Sequence, residues 1–234
     1  MKKNIKLFET HAAYNTYING QDKVLPNVSY CVDNNEVHYN PLFIENRLII
    51  TYDVEDASVP TLLYNYGTSG AHVTAVDKFV KVEIDDVVVS PQELDNAQGK
   101  YQLTVGEHTV KYTLTLSTTI QYAMFADQNG DIPITNIEIP SNIETIGISA
   151  FYMGTKLTSV VIPSNVTKID TQAFFWCENL SSVTVEATTP PTTDRTSFQY
   201  TASNLVIYVP SESVDAYKAA EGWSDYASKI QAIP

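Results

Sequence analysis

The sequence predicts a mainly β protein: a small antiparallel β-sandwich-like domain followed by a short solenoid of tandem repeats that ends in a helical cap. Three observations predict it. Self-similar segments recur at spacings of 23, 23 and 25 residues from Ile134 onward. Residues 42–118 alternate apolar and polar side chains between turn signals, the period of half-buried strands. After Pro210 the apolar spacing changes to that of a helix.

The repeats come first because a fixed period of this length decides the architecture. The units begin at Ile134, Leu157, Leu180 and Leu205. The first two share Ile139-Pro140-Ser141-Asn142-Ile143 with Ile162-Pro163-Ser164-Asn165-Val166, and Ile146, Ala150 and Phe151 with Ile169, Ala173 and Phe174. In each unit a pattern such as Leu157, Val160, Ile162 points one row of side chains inward from a short strand. Pro then blocks the strand ladder and Ser-Asn supplies turn chemistry. One coil cannot bury both of its edges, so stacking is obligatory, with Phe151, Phe174 and Phe198 in register. The third unit departs from the pattern: Glu186 stands at the Pro position, and Thr188-Thr189-Pro190-Pro191 reads as a protruding turn.

End coils need covers. Ser211 or Ser213 is placed to N-cap a helix whose Val214, Tyr217 and Ala220 share a face, and Trp223, Tyr226 and Ile230 add apolar cover beyond Gly222. Residues 118–131 read as the back half of a repeat, because Ile120 and Phe125 sit as far apart as Ile146 and Phe151. The missing strand of that half coil is expected from the domain before it. The expected structural core is therefore Phe125, Phe151, Phe174, Phe198 and Trp223, and the repeats are expected to hold the largest single core. The expected divisions are an extended arm or anchoring segment at 1–41, the antiparallel β domain at 42–118, and the repeats with their cap at 119–234. The arm is polar and rich in Asn and Tyr, with no sustained period.

Composition narrows the function classes. The net charge is −13, with 5 basic against 11 acidic side chains in residues 41–118 and 5 against 12 in residues 119–234. Such a chain repels phosphate backbones, so no nucleic-acid partner is expected. No apolar run approaches the roughly 20 residues of a membrane helix, so no membrane insertion is expected. Glu9, Thr10 and His11 interrupt the basic start before an apolar stretch develops, so no secretion signal is expected. Cys31 and Cys177 have no CxxC partners and are expected neither to pair nor to act in catalysis.

The segments IPSNIETIGISAF and IPSNVTKIDTQAF, with WCENL and the strand starts at Leu157 and Leu180, resemble the BspA-like leucine-rich repeats of gut Bacteroidetes proteins. The terminus LVIYVPSESVDAYKAAEGWSDYASKIQAI resembles the usual end of such arrays, and the stretch VKVEIDDVVVSPQELDNAQGKYQLTVGEHTVKYTL resembles the β-region that often leads into them. Together these extend the resemblance over about residues 79–232. That family includes adhesins and surface or secreted proteins, and the resemblance implies a leucine-rich-repeat fold and binding rather than catalysis. Residues 6–41 are similar to a leader of structural proteins from gut Bacteroidetes phages. This second resemblance implies a virion protein made in the host cytoplasm, docked on other virion proteins through residues 1–41.

Enzymatic chemistry finds no foothold in the motifs. Asp127, Asn129 and Asp131 recur as in a calcium loop, but Gly130 comes early and no Glu stands at the twelfth position, so a turn is expected. His11, His38, His72 and His108 share no metal-ligand spacing, and Glu55-Asp56 and Asp85-Asp86 read as a loop and a hairpin edge. Gly67-Thr68-Ser69-Gly70 lacks the nucleophile frame, and no phosphate-binding glycine pattern occurs. The expectation is no catalytic residues, no metal and no cofactor. Recognition remains. The outward strand positions Glu138, Val161, Thr184 and Tyr208 form a low-charge row, the candidate binding face; the same row also reads as a plain solvated surface. The expected function is a phage virion component (fibre, decoration or host recognition) that meets a host protein or glycan through its repeats, with self-association possible. The alternative is a bacterial leucine-rich-repeat adhesion or protein-interaction protein, in the cytoplasm or at the cell surface.

Overall fold

Short tracts of β-branched and aromatic residues explain the first element pair. In the computed structural model, Tyr30–Asp33 (β1) and Glu36–Tyr39 (β2) form an antiparallel hairpin, with Tyr30 opposite Tyr39 and Asp33 opposite Glu36. Within the segment 1–41, expected as an extended arm or anchoring segment, the described residues are this hairpin, where Tyr-Cys-Val and Val-His-Tyr carry strand preference. The structure describes residues 30–33, 36–39, 47–58, 60–63, 79–96, 99–114, 118–121, 123–126 and 133–234. The hairpin belongs to a unit comprising Met1–Asn46, and a second compact unit runs from Arg47 to Pro234.

In the second unit, alternation builds Arg47–Val54 (β3), where every second side chain is buried. It is followed by Thr61–Leu62 (β4), Phe79–Ile84 (β5), Val87–Val89 (β6), a short helix Pro91–Asn96 (α1), Lys100–Tyr101 (β7) and Gly106–Leu114 (β8). The repeats contribute Thr119–Ile120 (β9), Ile134–Glu138 (β10), Thr145–Ile146 (β11), Ser159–Ile162 (β12), Lys168–Ile169 (β13), Ser182–Val185 (β14) and Val206–Val209 (β15). A helix at Val214–Ala219 (α2) and a strand at Ile230–Ala232 (β16) end the chain.

Of the antiparallel sandwich expected over 42–118, the described residues place β3, β8, β5 and β6 in one sheet, and that sheet continues into the repeats. Its order is β16-β15-β14-β12-β10-β3-β8-β5-β6. From β10 to β16 neighbours are parallel, and from β3 to β6 they are antiparallel. The join is β3 against β10, antiparallel, with Ile50 opposite Ile137 and Ile49 opposite Glu138. β3 stands where the half coil before Ile134 lacks a strand of its own. The back of the coils is a second parallel sheet, β13-β11-β9, in which Ile120, Ile146 and Ile169 are in register.

Between the layers runs one column of rings. Phe79 lies 4.8 Å from Tyr112, and Tyr112 lies 5.2 Å from Phe125. Phe125, Phe151, Phe174 and Phe198 then stack at 5.6, 5.3 and 5.5 Å, within 16° of parallel. Trp223 closes the column 5.9 Å from Phe198. The buried apolar residues from Leu48 to Ile230 therefore form a single cluster. The expectation that the repeats, and not the β domain, form the largest single core is corrected to one core shared by both, since the β strands before the repeats feed the same column. At its head the hydroxyls of Tyr52 and Tyr112 both donate to the Leu63 carbonyl, at 2.7 and 2.8 Å.

The β5–β6 hairpin turns on Asp85 and Asp86, both at positive φ (49° and 66°). Asp tolerates that region better than most residues, which suits a two-residue hairpin loop. The Asp85 carboxylate also meets His108 on β8: Nδ1 lies 2.6 Å from Asp85 Oδ2, and Nε2 lies 3.0 Å from the Thr104 carbonyl oxygen. The Thr104 hydroxyl lies 3.3 Å from the same Nε2, and the Asp85 carboxylate beside Nδ1 favours the charged form of the ring. The bond to Asp85 raises the His108 pKa above its ordinary 6.5 against the opposing effect of burial. Burial acts to raise the Asp85 pKa, but His108 and the Thr109 N–H together hold it below 3.8. The His108 contribution is complete below 6.5 and is lost as pH rises through its raised folded value. The Asp85 contribution is complete above 3.8 and is lost as pH falls through its lowered value. The stability difference between the native chain and His108→Ala should therefore be larger at about pH 5.5 than at about pH 9. Urea midpoints at the two values check this, and equal differences would mean the pair never carries charge.

At the other end, the cap hangs on the irregular third unit. The Tyr217 hydroxyl donates to Ala187 O at 2.7 Å and Trp223 Nε1 to Pro191 O at 2.7 Å. The Tyr226 hydroxyl donates to Arg195 O. These carbonyls lie in the stretch that departs from the repeat pattern, and the departure supplies the acceptors. Only Thr188 and Thr189 of the expected protruding turn are exposed, and Pro191 is buried beneath the cap. The helix-cap expectation is corrected here. Ser213 occupies the N-cap position of α2, but its hydroxyl donates to Thr188 O at 2.8 Å rather than capping. Ser211 Oγ faces the Glu212 carboxylate at 3.2 Å.

Candidate functional site

Parallel pairing in strict register brings the outward positions of successive repeats into one line. Glu138 is opposite Val161, Val161 opposite Thr184, Thr184 opposite Tyr208, and Tyr208 opposite Gln231. Pairing extends the line the other way through Ile49, Lys111, Glu83 and Val88, so it crosses all nine strands. Its two ends differ in charge. On the β5–β8 side Glu83 is flanked by Lys81 at 2.7 Å and Arg47 at 3.5 Å, and Lys111 pairs with Asp86. On the repeat side Glu138 is the only ionisable carboxylate or cation in the line.

Val161 is 50% exposed at the centre of the repeat face. Around it the sheet opens: β10 and β12 share one register pair, Glu138 with Val161, whereas β12 and β14 share four. An open groove of about 500 Å³ lies there, lined by Glu138, Ser141, Ser159, Val161, Pro163 and Glu186 among others. The structure thus brings Glu138 and Val161 to one groove, with Thr184 and Tyr208 half-buried further along the same line. This arrangement offers a shallow strip with the Glu138 carboxylate at one end and the Glu186 carboxylate lining the adjoining groove. Chemically it can hold a ligand by contact and hydrogen bonding.

The expected core residues Phe125, Phe151, Phe174, Phe198 and Trp223 are all buried in the ring column. Cys177 is buried and free, and its thiol donates to Phe151 O at 3.3 Å. Burial pushes the thiol up to about 12, which keeps it protonated and unreactive at neutral pH. The Cys31 side chain, His11, His72, and the Asp127, Asn129 and Asp131 turn lie outside the described residues. Among the described residues no three potential metal ligands gather.

A second surface escaped the sequence-based expectations. Immediately after Phe151, Phe174 and Phe198 the chain carries Tyr152-Met153, Phe175-Trp176 and Gln199-Tyr200, and these form two adjacent rows on the turn side of the coils. Tyr152 stacks on Phe175 at 5.6 Å, and Phe175, Trp176 and Tyr200 lie 5.0–5.6 Å from one another. Trp176 is 38% and Tyr200 55% exposed. The signal was present as aromatic residues repeating beside the column position, but side chains next to a core Phe read as more core.

Against this geometry, residues 114–218 match the BspA type Leucine rich repeat region in 6 copies. Residues 114–218 are a BspA-type leucine-rich repeat region. No curated protein matches the chain. The matched span starts at Leu114, the last residue of β8, and ends within α2. It therefore contains the Glu138–Tyr208 line, the groove and the aromatic rows. BspA-type regions are generally non-enzymatic, and leucine-rich repeats commonly mediate protein–protein interaction.

Proposed function

We propose that this chain is a non-enzymatic recognition protein that holds a protein partner on the strand face of its leucine-rich-repeat solenoid, in adhesion or assembly. The observation that carries the reading is the in-register line Glu138, Val161, Thr184, Tyr208 beside an open groove, on a family region of generally non-enzymatic type. Such a strip is rigid before binding, so a partner meets it without the ordering cost a loop would incur. Replacing Val161 and Thr184 together by Glu leaves the buried face untouched and places two charges on the strip. The expected result is an unchanged melting temperature, within about 2 °C, with at least about tenfold weaker capture of surface proteins from the target cells. Equal capture by the variant would move the binding face elsewhere.

The finer reading makes the protein a component of a phage particle, with residues 1–41 docking on other virion proteins and the repeats directed at the host. It is supported by the likeness of residues 6–41 to phage leaders. Mass spectrometry of purified virions tests it: peptides of this chain are expected at stoichiometric level. Their absence, with the protein recovered instead from bacterial cell surfaces or cytoplasm, would favour a bacterial adhesion protein.

A further inference from the structure

The aromatic rows on the turn side have the features of a ligand platform. Their backbone is unusual: Met153, Trp176 and Tyr200, equivalent positions of successive coils, sit at φ of 62°, 60° and 59°. This left-handed region is unfavourable for bulky side chains and persists where the surroundings enforce it. The enforcement comes from the neighbouring coil, since Met153 N–H donates to Phe175 O at 2.9 Å and Trp176 N–H to Gln199 O at 3.0 Å. The conformation turns large rings outward, where burial is incomplete, in coils whose inward positions are filled by the Phe column.

We infer that Trp176, Tyr200 and Gln199 form a binding site for a neutral saccharide on the turn side of the repeats, with the apolar face of a sugar ring stacked on the two aromatic rings. Three observations select this ligand class. The first is area. Trp176 and Tyr200 are partly exposed and Tyr152 and Phe175 half-buried, so the exposed ring surface is on the order of 200–300 Å² for side chains of about 150–250 Å² each. A standard protein interface needs roughly 800 Å² per partner, so neither a second copy of this chain nor another protein is held by this patch alone. The second is ring geometry. Phe175, Trp176 and Tyr200 touch one another at centroid distances of 5.0–5.6 Å, which leaves no space between them for a quaternary ammonium group. They form a platform and not a cage. The third is charge and polarity. The two rows, Tyr152-Phe175-Gln199 and Met153-Trp176-Tyr200, contain no ionisable acid or base other than tyrosine, and Gln199 is exposed beside the rings. An aromatic face carries partial negative charge that favours the polarised C–H groups of a pyranose. The Gln199 amide offers both donor and acceptor to ring hydroxyls. The net charge of −13 disfavours an anionic sugar.

This inference rests on the reading of the repeats as a recognition region but uses a different face, so the two fail separately. The test uses the full chain and its own fluorescence, because Trp176 is exposed while Trp223 is fully buried and reports little from solvent. The probes are maltotriose, cellotriose, mannotriose and chitotriose. At least one is expected to shift tryptophan emission with a Kd on the order of 1 mM. By calorimetry, Trp176→Ala and Tyr200→Ala should each weaken that probe at least tenfold, with melting curves that show both variants folded. The Val161→Glu, Thr184→Glu protein should bind it unchanged. The inference is overturned if no probe shifts the emission, or if Trp176→Ala binds as tightly as the native chain. It is also overturned if choline gives the shift instead, or if Trp176→Ala abolishes a concentration-dependent dimer. Binding lost in the Val161, Thr184 variant and kept in Trp176→Ala would sink this site while leaving the strand-face reading standing.

Discussion

Gly222→Ala is expected to destabilise the chain by at least about 3 kcal/mol, the range of severe backbone and packing defects. Gly222 links α2 to Trp223 at a φ of 78°. A Cβ there would lie 2.2 Å from the Thr193 carbonyl oxygen and 2.7 Å from its carbon, well inside contact distance and against backbone that cannot rotate away. The strained φ adds about 1 kcal/mol on its own. Relief requires the cap to lift from the segment that holds Pro191 O and Arg195 O, the acceptors for Trp223 and Tyr226. Urea melts of the variant, with exposed Lys218→Ala as the control, measure the effect. A loss below about 1 kcal/mol would show that the cap contributes little to holding the array closed.

Phe174→Ala should cost about 3–5 kcal/mol, the range for truncating a large buried aromatic. Phe174 is fully buried in the middle of the column, stacked on both sides at 5.3 and 5.5 Å. Its removal leaves a gap that neighbours cannot close, because each Phe is fixed by a bond to the next coil: Phe151 N–H to Ala173 O and Phe174 N–H to Ser197 O, both at 2.9 Å. Because the column is shared, the loss should appear as a shift of the single unfolding transition of residues 47–234. A separate early transition in the repeats would mean that Phe125 and Tyr112 do not couple the strands before the repeats to the coils.

The parts of this fold that were legible are the parts that repeat. Ile139-Pro140-Ser141-Asn142 and Ala150-Phe151, seen again 23 residues later, place each strand, turn and column Phe by local pattern, and the outward line comes from period-two alternation. What escaped was non-local. A strand from the preceding domain was expected to complete the first half coil, but not which one: β3 pairs with β10 across some 84 positions, as in the Thr135 hydroxyl donating to Thr51 O, and no periodicity singles it out. Ser213 looked like a helix cap because capping is a local rule, and the Thr188 carbonyl outcompeted that role through tertiary contact. The aromatic rows were hidden for a subtler reason. Hydrophobicity argues that Trp176 and Tyr200 are inside, and a left-handed backbone, which sequence does not reveal for a Trp or Tyr, places them outside.

The position of β3 bears on mechanical load. Any pull transmitted through residues 1–46 enters the compact unit at Arg47, the first residue of β3. β3 is an interior strand of the nine, held antiparallel to β8 through eight register pairs and to β10 through four. An edge strand can be peeled one bond at a time, whereas β3 can leave only by parting from both neighbours. The chain thus enters this unit in the middle of the sheet, between the strands that precede the repeats and the first coil.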